Sequence, residues 1–106
     1  MRSGIIESMH HILFYEVVGD YVERRSTFRS QHLALAQRAY EKGDLVLAGA
    51  LADPPDGAVL VFRTAESAEE FAKADPYVRN GLVSAWRIRK WNTVIGDRAT
   101  PPSPEP

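Results

Sequence analysis

Nine residues, His10 to Val18, carry apolar side chains on both sides of an extended strand. The stretch HHILFYEVV is rich in aromatic and β-branched residues, which is the composition of a strand. Alternation puts Leu13, Tyr15 and Val17 on one side and Ile12 and Phe14 on the other. A strand apolar on both sides must be covered on both. In a chain of 106 residues with few helices, the second cover falls to another subunit.

The rest of the chain supplies one cover and three more strands. Gly19 and Asp20 end the first strand, and Asp20-x-x-Glu23 has the spacing of a capping box. A helical region is predicted over 21–42, with a bend near Ser26–Ser30, where hydroxyls compete for backbone bonds. Its stripe is Phe28, Leu35 and Ala39, with Ala36 beside it, and Gly43 is a C-terminal stop. A short apolar strand follows over 45–52, in which Gly49 suggests a bulge or a close approach. Asp53-Pro54-Pro55-Asp56-Gly57 is a turn by composition, and 58–63 closes a hairpin. Ser67-Ala68-Glu69-Glu70 reads as a second capping box, opening a helix with the stripe Ala68, Phe71 and Ala72. Pro76 ends that helix, Asn80-Gly81 is a turn, and 82–94 contains the last strand.

The order is βαββαβ. It predicts an α+β, ferredoxin-like fold: an antiparallel four-stranded sheet with two helices on one face. The bare face then predicts a homodimer packed through the open sheet. The folded domain is expected over 9–96, with flexible tails at 1–8 and 97–106. Thr100 to Pro106 reads TPPSPEP and holds four of the seven prolines, which suits a polyproline-like tail.

Composition narrows the partners. With 13 basic and 14 acidic residues, the chain lacks the basic excess of a nucleic-acid binder. Arg87, Arg89 and Lys90 alternate with Trp86, Ile88 and Trp91, as on the polar face of a strand. No apolar run approaches the ~20 residues of a membrane span, and the expected location is cytoplasmic. The absence of cysteine removes disulfides, thiol nucleophiles and Cys-based metal sites. His10 and His11 point to opposite faces, which leaves no zinc site, and no Gly-rich nucleotide loop occurs. No metal and no cofactor is expected.

Two residues break the local pattern. His32 lies on the stripe of the first helix, four residues after Phe28 and three before Leu35. Asp75 continues the stripe of the second, at the C-terminal end, where the helix dipole disfavours a carboxylate. Broken rules of this kind concentrate at functional sites. If both helices lie on one sheet face, the two side chains can meet. A carboxylate beside an imidazole fixes its tautomer and favours proton transfer near neutral pH. The plainer readings are a satisfied core histidine and an aspartate that bonds the amides of a turn.

Arg29-Ser30-Gln31-His32-Leu33, Gly43-Asp44-Leu45-Val46-Leu47-Ala48-Gly49, Ala74-Asp75-Pro76-Tyr77-Val78-Arg79-Asn80-Gly81-Leu82 and the closing Trp91 together resemble the YciI-like (YCII-related) family. The resemblance spans about 9–91. It implies a dimeric α/β barrel of ferredoxin-like subunits and an active site of one His and one Asp, which fall here on His32 and Asp75. Where a member of that family has an assigned activity, it is dehydrochlorination of a chlorinated hydroxyquinol. Ser30-Gln31 stands where a proline-containing version of R-x-x-H is often found, and Ala50 where A-G-P is common. Both departures bear on the shape of the pocket, so no relative's substrate carries over.

Other residues are weaker candidates for binding a small molecule. Arg29, one turn before His32, suits an anionic group or a surface ion pair. Tyr77 and Arg79 follow Asp75 on an expected loop, and Gly49 would let a ligand approach the backbone. Two classes of function follow. One is a cofactor-free enzyme in which His32 moves a proton and Asp75 orients it, in an elimination such as dehydrochlorination or in an isomerisation. The substrate would be a small cyclic or aromatic metabolite. The other is a non-catalytic dimeric binding or structural module in which the pair is structural. Cofactorless oxygenase chemistry on the same scaffold is a third, narrower possibility.

Overall fold

The computed structural model describes residues 10–99. Its strands are β1 (His10–Val17), β2 (Leu45–Ala50), β3 (Gly57–Phe62) and β4 (Val83–Trp91). Its helices are α1 (Tyr21–Arg24), α2 (Arg29–Glu41), α3 (Ala65–Ala74) and α4 (Pro76–Arg79), with a 3-10 turn at Arg25–Thr27. The strands form one antiparallel sheet in the order β2-β3-β1-β4. That is the ferredoxin-like arrangement the element order predicts.

Register assigns the faces. Leu13 pairs with Leu60 and Ile88, and Tyr15 with Ala58 and Trp86. These side chains meet Phe28, Leu35, Ala36 and Ala39 of the first helical region and Ala68, Phe71 and Ala72 of α3. Leu13, Phe62, Ala68, Ala72 and Leu82 are fully buried. On the other face Ile12 and Phe14 are half-buried, and Leu47 is 70% exposed. The Arg87 guanidinium lies 4.5 Å from the Phe14 ring centroid and shields part of that face.

Several local expectations are corrected. The helical region of 21–42 is interrupted by the 3-10 turn and by Phe28, whose φ of −113° and ψ of 0° leave the helix. The break falls at the expected bend near Ser26–Ser30, among residue types whose hydroxyls compete for backbone bonds, but it interrupts the helix rather than bending it. Asp20 makes no side-chain cap, because its φ of −103° and ψ of 26° are not the extended geometry a cap needs. The cap of α3 is Thr64 rather than Ser67. Thr64 is extended, and its Oγ1 accepts from the Ser67 amide at 3.1 Å. The bulge of β2 falls at Val46, between the Leu45–Phe62 and Leu47–Val61 pairs, and not at Gly49. A Cβ on Gly49 would meet nothing within 4 Å, so crowding does not demand glycine there.

Residues 92–99 follow β4 and, with His10, Val46, Leu47, Val61 and Trp91, enclose a cavity of about 510 Å³. Of the expected tails 1–8 and 97–106, residues 1–8 and 100–106 lie outside the described residues, while 97–99 line this cavity. No helix among the described residues is long and apolar enough to cross a membrane.

His10 closes one wall of that cavity. It is 2% exposed, and its Nδ1 lies 2.9 Å from Thr93 Oγ1. Burial, then the charge of Arg63 and the neighbouring His11, hold its pKa below the usual histidine value. The unfolded chain takes up this proton near pH 6.5, whereas the folded chain resists it until lower pH. Stability therefore falls as pH drops below about 6.5 and levels off once the folded His10 is protonated. Urea midpoints at pH 7 and pH 5 should show this loss. It should shrink in His10→Asn, which keeps a polar group where Nδ1 lies.

Candidate functional site

Asp75 sits at a joint. It ends α3 and caps α4, with an extended backbone (φ −69°, ψ 124°) imposed by Pro76. Its Oδ1 accepts from the Tyr77 amide at 3.0 Å. The dipole argument from sequence is thereby reversed. The carboxylate closes one helix but opens the next, where negative charge is favoured. The plainer expectation, bonding to nearby amides, also holds.

The carboxylate is fully buried and saturated with donors. The Tyr15 hydroxyl donates to Oδ2 at 2.7 Å. His32 Nδ1 lies 2.9 Å from Oδ1 and 3.0 Å from Oδ2. A carboxylate has only acceptors to offer, so Nδ1 carries the proton of this bond. That leaves Nε2 as the uncommitted nitrogen, with no hydrogen-bond partner among the described residues. His32 itself is 16% exposed at its side chain.

The imidazole is clamped from the side as well. The Tyr77 ring stacks on it at 3.9 Å with an interplanar angle of 7°. Phe71 meets it edge-on at 6.2 Å, and Tyr21 meets Tyr77 edge-on at 5.8 Å. A ring held by a bidentate contact and a stack loses little orientational freedom when a ligand arrives. Burial, reinforced by the charge and hydrogen bond of Asp75, pushes the Tyr15 hydroxyl far above the usual phenol range. Tyr15 thus stays a donor and never competes for the imidazole proton.

His32 opens onto a cavity of about 270 Å³ between α2 and the β2–β3 hairpin. Arg29, Gly49 and Tyr77 line it with His32, and so do Tyr15, Tyr21 and Arg25. Arg79 is not among the lining residues. Its segment is a helical turn rather than a loop, so two steps past Tyr77 the chain faces away, and Arg79 is exposed. Asp75 stands behind the wall, bonded to three residues that line the cavity, Tyr15, His32 and Tyr77. Tyr15 and Arg25 are not distinguishable in the sequence as site residues. Tyr15 has the look of a core aromatic, and only the register that sets β1 against the end of α3 reveals its hydroxyl. Arg25 carried one signal, its spacing of four from Arg29, blurred by the helix break.

Comparisons with known proteins agree with this architecture. The family of the YCII-related domain matches residues 9–92. Protein YciI of Escherichia coli is 27% identical, over 82% of this chain and the whole of the relative. Protein YciI of Shigella flexneri aligns with the same identity and coverage. Among solved structures, 5-chloro-2-hydroxyhydroquinone dehydrochlorinase from Burkholderia phenoliruptrix, in complex with 2,5-dihydroxybenzoquinone, superposes with a TM-score of 0.66. That match is 17% identical and covers 80% of this chain and 95% of the other, which establishes a shared fold.

Proposed function

This chain belongs to the YCII-related family, and from that premise and the site geometry we propose that it is a cofactor-free enzyme whose His32 transfers a proton. The observation that carries the reading is the committed Nδ1. With Nδ1–H held by Asp75, Nε2 is left at the cavity as the base. In an elimination, Nε2 takes a proton from the substrate. The electrons of that bond form the new double bond, a halide or similar group departs, and the imidazolium returns its proton to water. In an isomerisation the same proton is returned to a different atom of the substrate. Asp75 orients the ring and fixes its tautomer, and Tyr15 holds Asp75 in place. The substrate is a small cyclic or aromatic molecule, in keeping with the cavity volume and its aromatic wall. The dehydrochlorinase of the same fold, which carries a quinone, supports chloride elimination as the first reaction to try.

The test is a panel of chlorinated hydroxyquinols and unsaturated lactones, incubated with the full chain in deuterated water. Chloride release, or deuterium at the rearranged carbon, from at least one compound is the expected result. Ligands that bind in the cavity but stay unchanged across the panel would favour the second reading, a binding module. That reading draws on Asp75 capping α4, a structural task independent of chemistry.

The proposal includes a homodimer through the open sheet face. Leu47 and Trp91 on that face are 70% and 46% exposed, beside the half-buried Ile12 and Phe14. Light scattering should read twice the chain mass, and Leu47→Glu, on the exposed part of that face, should halve it. A monomeric wild type would remove the dimer from the proposal.

A further inference from the structure

The charged side chains that line the His32 cavity are arginines, while the Asp75 carboxylate stands behind the wall, committed to Tyr15 and His32. Arg25 and Arg29 line it, and no Asp or Glu does. Neither arginine forms an ion pair among the described residues. A chain with slightly more acidic than basic residues thus gathers two unpaired guanidinium groups at one concave surface. A guanidinium matches a carboxylate or another oxyanion through its fork of donors.

Tyr77 provides a second, independent observation. Its side chain is 2% exposed, yet its hydroxyl is buried with no hydrogen-bond partner among the described residues. Buried hydroxyls are nearly always bonded, and an exception calls for an absent partner. Burial first, then Tyr21, pushes its pKa up, while Arg29 and Arg25 act against this from nearby. At neutral pH the hydroxyl is therefore protonated and can donate.

These groups form one continuous surface. The Arg25 guanidinium lies 5.4 Å from the Tyr21 ring centroid. Tyr21 meets Tyr77 edge-on, and Tyr77 stacks on His32. The β2–β3 hairpin contributes mostly small residues to the wall, Ala48, Gly49, Ala50 and Ala58, together with Leu60. The resulting space of about 270 Å³ suits a single ring rather than a dinucleotide or a peptide.

We propose that this cavity binds a single-ring organic anion whose charged oxygen meets Arg25, Arg29 and the Tyr77 hydroxyl, with its reacting atom toward His32 Nε2. The inference rests on the cavity being the reaction site and adds the class of substrate. The oxygen belongs to a carboxylate or to a phenolate. The same cations stabilise negative charge that builds on the ring as His32 withdraws a proton.

Benzoate and benzamide, equal in shape and different in charge, make the test. Each is titrated into the full chain and followed by amide NMR shifts. Benzoate should saturate with shifts around the cavity, and benzamide should bind at least about tenfold more weakly. Arg25→Gln and Arg29→Gln should each weaken benzoate about fivefold or more and leave benzamide unchanged. Tyr77→Phe keeps the stack on His32 and should weaken benzoate severalfold. A 4-nitrophenol titration below and above its own ionisation asks the same of a phenolate, and tighter binding of either anion sustains the proposal. Equal affinities for charged and neutral forms of both probes would overturn it. So would no saturable shift at about 20 mM of either anion, or shifts confined to the Arg87–Arg89 face. His32→Asn should bind benzoate within about twofold of wild type. The chemistry can thus fail while the anion site stands, and the reverse.

Discussion

His32→Asn should lower turnover about a thousandfold while the protein stays folded. The choice of Asn is physical. Its side-chain amide places an N–H near the position of Nδ1, so Asp75 keeps a donor. What disappears is Nε2, the nitrogen left for the substrate. The stability cost should stay within about 1 kcal/mol, because one hydrogen bond to a carboxylate is exchanged for another. Steady-state rates and urea midpoints on the same preparation separate the two effects. Full activity in His32→Asn would remove His32 from the chemistry. A loss of activity that merely tracks unfolding would leave the imidazole a structural part.

Asp75→Ala has the largest expected effect on stability, about 3–5 kcal/mol. Three donors lose their acceptor at once: the Tyr15 hydroxyl, His32 Nδ1 and the Tyr77 amide. Each unpaired buried donor costs about 1–3 kcal/mol, and the first two cannot easily reach water. The cap of α4 goes with them. For a domain of this size the loss corresponds to roughly 15–25 °C in Tm. Asp75→Asn should behave differently. Its amide keeps the shape and still caps α4, so the cost falls to about 1–2 kcal/mol. The amide can, however, donate to Nδ1, which moves the imidazole proton to Nε2 and removes the base. Asn at 75 should therefore be well folded and nearly inactive. A loss below about 1 kcal/mol in Asp75→Ala would mean the donors find water, and the site would be wetter than its burial implies.

Much of this architecture is legible in the chain itself. Element order fixes the sheet once the hairpin of β2 and β3 and the two crossovers are recognised. That His32 and Asp75 meet follows from two polar residues lying on apolar stripes of helices that share a sheet face. The capping residues were less legible. Thr64 and Ser67 have the same hydroxyl chemistry three residues apart, and only backbone geometry says which one is extended enough to cap. Asp20 has the right residue type and the wrong dihedral angles. The role of Tyr15 depends on a contact sixty residues away in sequence, which no local period encodes. The single sign of charge among the lining side chains is likewise a property of the assembled wall. Arg25, Arg29 and Tyr77 come from the 3-10 turn, α2 and α4.

The position of Asp75 at the joint of α3 and α4 also shapes how this protein can diverge. One carboxylate both caps α4 and holds the His32 ring, so selection on abundance alone would retain it whether or not a lineage kept the proposed reaction. Arg25 and Arg29 make no side-chain capping bond and no ion pair among the described residues. On the proposed reading they are free to drift over descent once no anionic ligand calls for them, and their gain or loss would record a change of ligand.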